Sequence, residues 1–325
     1  MSDDRPQLAF LFPGQGSQAA GMGKELAAMY PVAQQTFDEA DAALGYKLSA
    51  LCFEGPDEKL RMTEITQPAI LTVSVAVCRV LESVGIAPTI VAGHSLGEYS
   101  ANVAAGTLDF ADAVRTVRNR GQYMQEAVPV GQGAMAAVLN LALEKVQEAC
   151  NEAIASVEPG SVCQPANINS PGQVVISGSK SAVEKAAELC KSKGAKRAIM
   201  LPVSAPFHCA LMQPAQDRLA KDLTVLRFHT PKIPIMCNVD ASLVGEADAT
   251  RDALTRQVTG AVRWEESMRK MIEMGVEQFV EVGPGSVLTG LLRQIDKSKT
   301  GMNVENEATL QKAKNHFGKD KSKPE

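Results

Sequence analysis

Residues 89–98 read TIVAGHSLGE, and this stretch decides the fold. A short apolar strand runs into Gly-x-Ser-x-Gly with Ser95 at its centre, and small residues suited to a helix follow. This is the layout of a nucleophile elbow, in which a serine occupies a strained strand-to-helix turn and glycines allow close backbone approach. The elbow predicts an α/β-hydrolase-like core and makes Ser95 the candidate nucleophile of an acyl transfer. It also places the N–H of Leu96 at a helix N-terminus, where it can stabilise an oxyanion.

A second strand-loop-helix unit lies at the start of the chain. Residues 7–12, QLAFLF, have the length of a strand and end in the glycine-rich loop 13–18, PGQGSQ. Residues 67–84 form an apolar stretch of helix length. Alternating buried strands and helices indicate a mostly parallel α/β sheet, whose sites form at the carboxyl ends of the strands. We therefore expect loop 13–18 and the elbow to converge.

The segment 131–203 follows a different pattern. It predicts strands at 134–140, 162–168, 173–177 and 198–203, helices at 143–155 and 181–193, and a turn at 169–172. The order β-α-β-β-α-β is that of a ferredoxin-like unit. We interpret it as a small subdomain inserted into the larger one.

The domain organisation follows from this insertion. The large α/β catalytic subdomain is predicted to comprise residues 1–130 and 204–310, with the ferredoxin-like subdomain at 131–203. Within the second part, residues 278–282 resemble a strand and residues 287–293 a helix. Residues 311–325, QKAKNHFGKDKSKPE, are polar and lysine-rich, and this composition predicts a disordered tail.

Composition excludes several classes of protein. The 325 residues carry a net charge of −4, which argues against non-specific nucleic-acid binding. The N-terminus does not resemble a signal peptide, and no stretch approaches the roughly 20 apolar residues of a membrane span. The seven cysteines are scattered without a C-x-x-C pair, which argues against a zinc site or a disulfide framework. We therefore expect a cytoplasmic protein without a metal.

A serine nucleophile needs a base, and the chain has four histidines, His94, His208, His229 and His316. His316 falls in the charged tail, and His229 lies near a turn. His94 neighbours Ser95, but successive strand residues point to opposite faces. His208 follows a strand end and the loop 205–207, where an active-site residue of an α/β fold would lie. It is the predicted general base.

The group that orients His208 is less obvious from the sequence. Asp217 and Asp240 follow it without a supporting motif, so a backbone carbonyl could hold the imidazole in a Ser-His dyad. Cys209 is interpreted as a buried bystander. Arg120 lies on a helical segment, where an arginine alone is most often solvated.

Six motifs together resemble the malonyl-CoA:acyl carrier protein transacylases of bacterial fatty-acid synthesis. They occur in the order of that family and extend to about Leu310: FPGQGSQ at 12–18, GHSLGE at 93–98, RGQYMQEAVP at 120–129, NSPGQVVISG at 169–178, SAPFH at 204–208 and EVGPG at 281–285.

The resemblance implies a ping-pong reaction without a cofactor. Ser95 would attack the thioester of malonyl-CoA while His208 takes its proton, and the phosphopantetheine thiol of holo acyl carrier protein would then accept the malonyl group. The N–H groups of Gln15 and Leu96 would form the oxyanion hole. Arg120 would bind the free carboxylate of malonyl, since a guanidinium can hold a carboxylate with two charge-assisted hydrogen bonds.

The resemblance also implies how the pocket is lined. Phe207 would crowd the α-carbon of malonyl, although simple core packing explains it nearly as well. Asn169 would line the pocket or form a turn, and Met124 is a further substrate contact. Relatives commonly have Asn-Pro before Val262, where this chain has Gly-Ala. In the family a carbonyl of this loop, at the position of Arg263, orients the histidine, so the missing proline leaves that contact open.

Two other functions remain open at this point. A serine esterase or thioesterase would use the same Ser-His pair, with water as the acceptor. A non-catalytic docking module for carrier proteins would hold a vestigial site. The expected partners are malonyl-CoA and acyl carrier protein, with no nucleic acid and no membrane, and the family resemblance suggests a monomer.

Overall fold

A computed structural model of the chain describes residues 7–203 and 205–318. The strands in these residues are β1 (Gln7–Phe12), β2 (Ile90–Gly93), β3 (Gly133–Leu139), β4 (Cys163–Ser170), β5 (Gln173–Ser179), β6 (Arg197–Met200), β7 (Ile235–Met236), β8 (Leu243–Val244), β9 (Val276–Val282) and β10 (Thr300–Val304). The helices are α1 (Lys24–Met29), α2 (Pro31–Leu44), α3 (Leu48–Glu54), α4 (Asp57–Leu60), α5 (Thr63–Ser83), α6 (Gly97–Ala104), α7 (Phe110–Glu126), α8 (Leu143–Ala155), α9 (Lys180–Ser192), α10 (Gln213–Val225), α11 (Ala247–Arg256), α12 (Trp264–Glu273), α13 (Val287–Ile295) and α14 (Glu307–Phe317).

The larger sheet has the strand order β10-β9-β1-β2-β7-β8. Its pairs are parallel apart from the antiparallel pair β7–β8, which confirms the predicted mostly parallel α/β sheet. In the register of β1 and β2, Phe12 lies opposite Gly93, so both strands end at the same level. The glycine-rich loop 13–18 and the elbow therefore emerge side by side, as predicted.

Helices cover both faces of this sheet. One face packs against α5 and α6, with α2 and α7 packed on α5, and the other face packs against α12 and α13. The central helix α5 is long and apolar enough to cross a membrane by length and composition, which the sequence analysis did not anticipate. However, 83% of its most apolar stretch is buried inside the molecule, so it serves as a core helix.

The second sheet has the order β4-β5-β3-β6, and its described pairs are antiparallel. Helices α8 and α9 cover one face, where Val138, Val146 and Val183 are buried together. This is the ferredoxin-like arrangement that the element order predicts. Met135 and Val175 on the opposite face belong to a separate apolar cluster. We propose that residues 131–203 are the small subdomain, with its helices facing away from that cluster.

Three local predictions differ from the structure. The predicted turn at 169–172 is shorter, because β4 continues through Asn169 and Ser170 and only residues 171–172 separate it from β5. Strand β6 ends at Met200 and is shorter than predicted, although the N–H of Leu201 still donates to the carbonyl of Met135 in β3. Residues 311–317 are helical, because α14 buries Leu310 and Ala313 while its lysines stay on the outer face. Ser204 and the rest of the predicted tail, 319–325, lie outside the described residues.

Candidate active site

Ser95 lies in the turn between β2 and α6 with a φ of 51°, in the left-handed region. Such a conformation is strained for a residue with a Cβ and needs support from its surroundings. A Cβ on Gly93 would overlap the backbone of Gly97, and a Cβ on Gly97 would overlap the carbonyl of Phe12. These close approaches explain why glycines flank the serine.

A buried asparagine holds the elbow from the next strand. The Oδ1 of Asn238 accepts from the N–H of Ser95 at 2.7 Å, and its Nδ2 donates to the carbonyl of Gly93 at 2.7 Å. Asn238 is fully buried just after β7. Its amide therefore binds the backbone on both sides of His94 and fixes the strained turn.

His208 meets Ser95 directly, with 2.6 Å between Ser95 Oγ and His208 Nε2. On the other side of the ring, Nδ1 lies 2.9 Å from the carbonyl oxygen of Gln257 and 3.2 Å from that of Gly260. Nδ1 must carry the proton, because both of these partners only accept. Nε2 is then free to accept the hydroxyl proton of Ser95. The prediction that a backbone carbonyl orients His208 is confirmed. The expectation that this carbonyl belongs to Arg263 is wrong, because the carbonyls belong to Gln257 and Gly260.

The loop that carries these carbonyls is held without the family's proline. The N–H and C=O of Val262 bond to the backbone of Ala166 and Ile168, in a parallel bridge to β4. The N–H of Arg263 donates to the carbonyl of Asn238, and its guanidinium pairs with Glu266. Backbone bonds to β4 and to Asn238, just after β7, therefore fix the loop although it lacks the proline.

Burial sets the protonation state of His208. The side chain is 3% exposed, and burial, followed by the positive charge of Arg120, lowers its pKa to about 3. The bonds to Gln257 and Gly260 oppose this shift. The imidazole is therefore neutral over the physiological pH range, as a base must be.

Arg120 lies on the buried face of α7, where Ala113, Val117, Arg120 and Met124 follow helical spacing. It is 2% exposed, so the alternative of a solvated helix face is wrong. Its Nη1 donates to Gln67 Oε1 at 2.8 Å.

The second terminal nitrogen of Arg120 reaches the nucleophile. Nη2 donates to Gln257 Oε1 at 2.9 Å and lies 3.3 Å from Ser95 Oγ. Burial lowers the pKa of Arg120, yet a guanidinium stays protonated in proteins. Within residues 7–203 and 205–318, no carboxylate forms an ion pair with it. A positive charge without a counter-ion thus stands beside the nucleophile.

These groups open onto a cavity of about 300 Å³. Its lining includes every residue proposed from the sequence: Gln15, Ser95, Leu96, Arg120, Met124, Asn169, Phe207 and His208. Within the described chain, the N–H groups of Gln15 and Leu96 donate to no protein acceptor, so both are available to an oxyanion. The antiparallel sheet supplies Met135 and Val175 as an apolar wall.

The remaining candidates from the sequence have other contacts. His94 Nε2 lies 2.8 Å from Asn169 Oδ1, and its ring packs on Trp264 at 5.4 Å between centroids. His229 is half-buried in a loop, and His316 packs against the neighbouring Phe317 on α14. Among the described residues, none of the three forms a hydrogen bond with Ser95.

Neither aspartate nor the neighbouring cysteine takes part in the dyad. Asp240 binds Arg256, and Asp217 accepts from Gln213. The thiol of Cys209 is buried and donates to the carbonyl of Pro206, and burial raises its pKa. In the described part of the chain, no cluster of His, Cys, Asp or Glu is arranged to hold a metal ion.

Sequence reasoning missed the polar groups that surround the dyad. These are the buried residues Gln67, Glu98, Asn238 and Gln257. Gln67 and Gln257 bind Arg120, Asn238 and Gln257 bind the backbone of Ser95, and Glu98 binds Gln257. Glu98 belongs to the GHSLGE motif, and this was the one sequence feature that could have pointed to its role. The other three occupy unremarkable stretches far away in the sequence.

Known proteins resemble this chain over nearly its whole length. Residues 9–322 match the family model described as an acyl transferase domain. The malonyl CoA-acyl carrier protein transacylase of Escherichia coli K12 is 55% identical over 290 residues, which cover 89% of this chain and 93% of that protein.

Solved structures show the same similarity. An acyl carrier protein S-malonyltransferase from Vibrio cholerae has 51% identity and a TM-score of 0.92, covering 94% of this chain and 99% of that one. A malonyl transacylase solved in complex with the holo acyl carrier protein of a type II polyketide synthase has 49% identity and a TM-score of 0.92, covering 95% and 99% of the two chains.

Proposed function

The chain belongs to the acyl transferase family, among the malonyl-CoA:acyl carrier protein transacylases, and from this membership we propose a mechanism in which Ser95 carries the malonyl group. The enzyme transfers malonyl from malonyl-CoA to the phosphopantetheine thiol of acyl carrier protein. The reaction takes place in two halves with the same groups.

In the first half, Ser95 Oγ attacks the thioester carbonyl while His208 Nε2 takes the hydroxyl proton. The tetrahedral intermediate collapses as the carbon–sulfur bond breaks, and His208 returns the proton to the departing sulfur of CoA. A malonyl ester on Ser95 remains. The carbonyls of Gln257 and Gly260 stabilise the transient imidazolium through Nδ1–H.

In the second half, the thiol of the carrier protein gives its proton to His208 Nε2 and attacks the ester carbonyl. The carbon–oxygen bond to Ser95 breaks, and His208 returns the proton to Oγ. The N–H groups of Gln15 and Leu96 bind the oxyanion in both halves. One such donor contributes about 3–4 kcal/mol of transition-state stabilisation.

Arg120 selects a substrate with a free carboxylate. The malonyl carboxylate is three bonds from Oγ in the ester, and Nη2 of Arg120 lies 3.3 Å from that oxygen. The guanidinium can bind the carboxylate with two charge-assisted hydrogen bonds. An acetyl group would leave the buried charge unpaired, which penalises it as a substrate.

Three further residues line the acyl and pantetheine path. Phe207 crowds the α-carbon and disfavours a methyl branch, and Met124 packs beside Arg120 on the same face of α7. Asn169 already uses Oδ1 toward His94, so its Nδ2 remains to bind an acceptor on the substrate.

One observation carries the mechanism: Ser95 Oγ contacts both the base His208 and the carboxylate-binding Arg120. The test is intact-protein mass after brief mixing with malonyl-CoA, followed by holo acyl carrier protein, for the parent and Ser95→Ala. We expect a malonyl adduct on the parent only, which then moves to the carrier protein. Rapid release of free malonate without transfer would instead indicate the hydrolase, and a Ser95→Ala variant that behaves like the parent would indicate the docking module.

We also propose that the enzyme works as a cytoplasmic monomer. The net charge of −4 supports a protein that does not bind nucleic acid.

A further inference from the structure

We propose that Glu98 is a positioning residue for carboxylate recognition: its side chain fixes the orientation of the Gln257 amide, and that amide in turn holds Arg120 against the substrate. The inference rests on the proposed role of Arg120 and extends it to a residue that does not touch the substrate.

Glu98 lies in the first turn of α6 and is 1% exposed. Its Oε2 accepts from the backbone N–H of Asn238 at 3.1 Å and from Gln257 Nε2 at 2.7 Å. A backbone N–H can only donate, so the first of these bonds defines Oε2 as an acceptor. A proton on Oε2 could still be donated to Gln257, but the carbonyl of Ser95, which only accepts, lies 3.0 Å from the same nitrogen of Gln257. The Gln257 group that faces Oε2 must therefore be the NH₂.

An amide that turns its NH₂ toward one side presents its oxygen to the other. Gln257 Oε1 accepts from Arg120 Nη2 at 2.9 Å, and Nε2 also donates to the carbonyl of Ser95 at 3.0 Å. A flipped amide would bring its NH₂ against the guanidinium, donor against donor. Glu98, with the shorter of the two bonds to Nε2, and the carbonyl of Ser95 thus together ensure that Arg120 meets an acceptor.

The arrangement also explains why Arg120 keeps its charge available. A carboxylate in direct contact would form an ion pair and compete with the malonyl carboxylate. Here the amide of Gln257 stands between Glu98 and Arg120. The guanidinium is oriented by a neutral acceptor, and its charge remains free for the ligand.

The side chain and the backbone of Gln257 have separate roles. The carbonyl that binds His208 belongs to the backbone and remains when the side chain is replaced. Changes in Glu98 or in the Gln257 amide should therefore affect recognition of malonyl more than the chemistry at His208.

The test compares the specificity constants for Ser95 loading by malonyl-CoA and by acetyl-CoA, measured by rapid-quench mass spectrometry. Glu98→Leu removes the acceptor and should lower the malonyl-to-acetyl ratio at least tenfold, chiefly through a higher KM for malonyl-CoA. Glu98→Gln keeps an acceptor oxygen and should stay within about threefold of the parent ratio.

A second variant keeps the test decisive if Glu98→Leu does not fold. Gln257→Leu removes the amide and retains the carbonyl to His208, so it should lower the same ratio at least tenfold, chiefly through a higher KM for malonyl-CoA. Where all variants fold, the double variant should lose no more than either single one. Asp41→Leu is the matched control, because Asp41 is also buried and accepts from a backbone N–H, that of Ser49 on α3. It should lower Tm but keep the parent ratio.

The outcomes separate this inference from the function itself. A parent that forms no malonyl adduct would overturn the proposed mechanism together with the role of Glu98. A normal parent with an unchanged ratio in Glu98→Leu or Gln257→Leu would overturn only the role of Glu98. A Glu98→Gln variant as impaired as Glu98→Leu would do the same, since it would show that charge rather than the acceptor matters.

Discussion

Ser95 and His208 face each other across a 2.6 Å contact between Oγ and Nε2, and both have a left-handed backbone, with φ of 51° and 58°. Both side chains line the cavity, Ser95 just after the end of β2 and His208 in the segment that follows β6. The surrounding hydrogen bonds, above all those of Asn238, must outweigh the strain of the left-handed backbone. The backbone conformation that places Ser95 and His208 for reaction therefore lowers the stability of the fold at the same two residues.

Replacing Ser95 should reveal the strain directly. We expect Ser95→Gly to have a free energy of unfolding about 1 kcal/mol higher than Ser95→Ala, because glycine adopts a positive φ without a Cβ penalty. The measurement is urea denaturation of the two inactive variants. Glu188, exposed in the middle of α9, provides the control pair. There glycine should be the less stable by about 1 kcal/mol, and the same sign at both positions would contradict strain at Ser95.

Arg120 should control the choice between malonyl and acetyl. We expect Arg120→Ala to lower the specificity constant for malonyl loading by about 10²–10³-fold while acetyl loading is unchanged or faster, because the unpaired charge is gone. Arg120→Lys should lose about tenfold, since an ammonium lacks the planar fork. Arg115→Ala on the same helix, where the exposed Arg115 pairs with Asp112, should match the parent. A malonyl preference that survives in Arg120→Ala would contradict the binding of the malonyl carboxylate by Arg120.

The fold and the dyad could be predicted because local sequence encodes them. The elbow follows from glycine spacing around Ser95, and the ferredoxin-like order follows from periodicity and turns within 131–203. His208 could be found because the chain has only four histidines and three of them lie in poor positions.

The polar network could not be predicted, because its members are far apart in sequence and carry no motif of their own. Asn238 is 143 residues from Ser95, and Gln257 is 159 residues from Glu98. The prediction of a disordered tail was wrong over 311–317 for a different reason. Composition shows that the segment is rich in lysine, but it does not show that these lysines lie on the exposed face of a helix. Asn306 caps α14 by accepting from the N–H of Thr309, and Leu310 then packs into the core.

Phe207 should restrict branching at the α-carbon of the acyl group. We expect Phe207→Ala to raise loading by methylmalonyl-CoA relative to malonyl-CoA by roughly tenfold, because one methyl group in an apolar pocket changes binding by about 1–3 kcal/mol. The measurement is competition between the two thioesters, read by adduct mass. Phe53→Ala on α3, also a half-buried phenylalanine, should leave the ratio unchanged. An unchanged ratio in Phe207→Ala would assign Phe207 to core packing alone.

The buried neutral His208 should make stability depend on pH with a defined sign. Its pKa is about 3 in the folded protein because of burial and the charge of Arg120, against an ordinary value of 6.5. Above pH 6.5 neither state binds the proton, and between pH 6.5 and 3 only the unfolded state does. The contribution of His208 to stability is therefore complete above pH 6.5 and declines as the pH falls, by about 1.4 kcal/mol per pH unit once the pH is well below 6.5.

Glu98 acts with the opposite sign in an overlapping range. Burial raises its pKa from 4.5 to about 7, so between these values the folded state binds the proton more readily and falling pH stabilises the protein through this group. A comparison of two variants removes this shared contribution, because Glu98 is present in both.

We therefore compare His208→Gln with Ser95→Ala, which keeps the histidine, by urea denaturation at pH 6.5 and pH 4.5. Ser95→Ala should lose about 2 kcal/mol more unfolding free energy over this interval than His208→Gln does, because only Ser95→Ala must hold the histidine neutral. Equal losses in the two variants would mean that the folded protein protonates His208 as readily as the unfolded chain. In that case the imidazole would not be held as the free base that the mechanism requires.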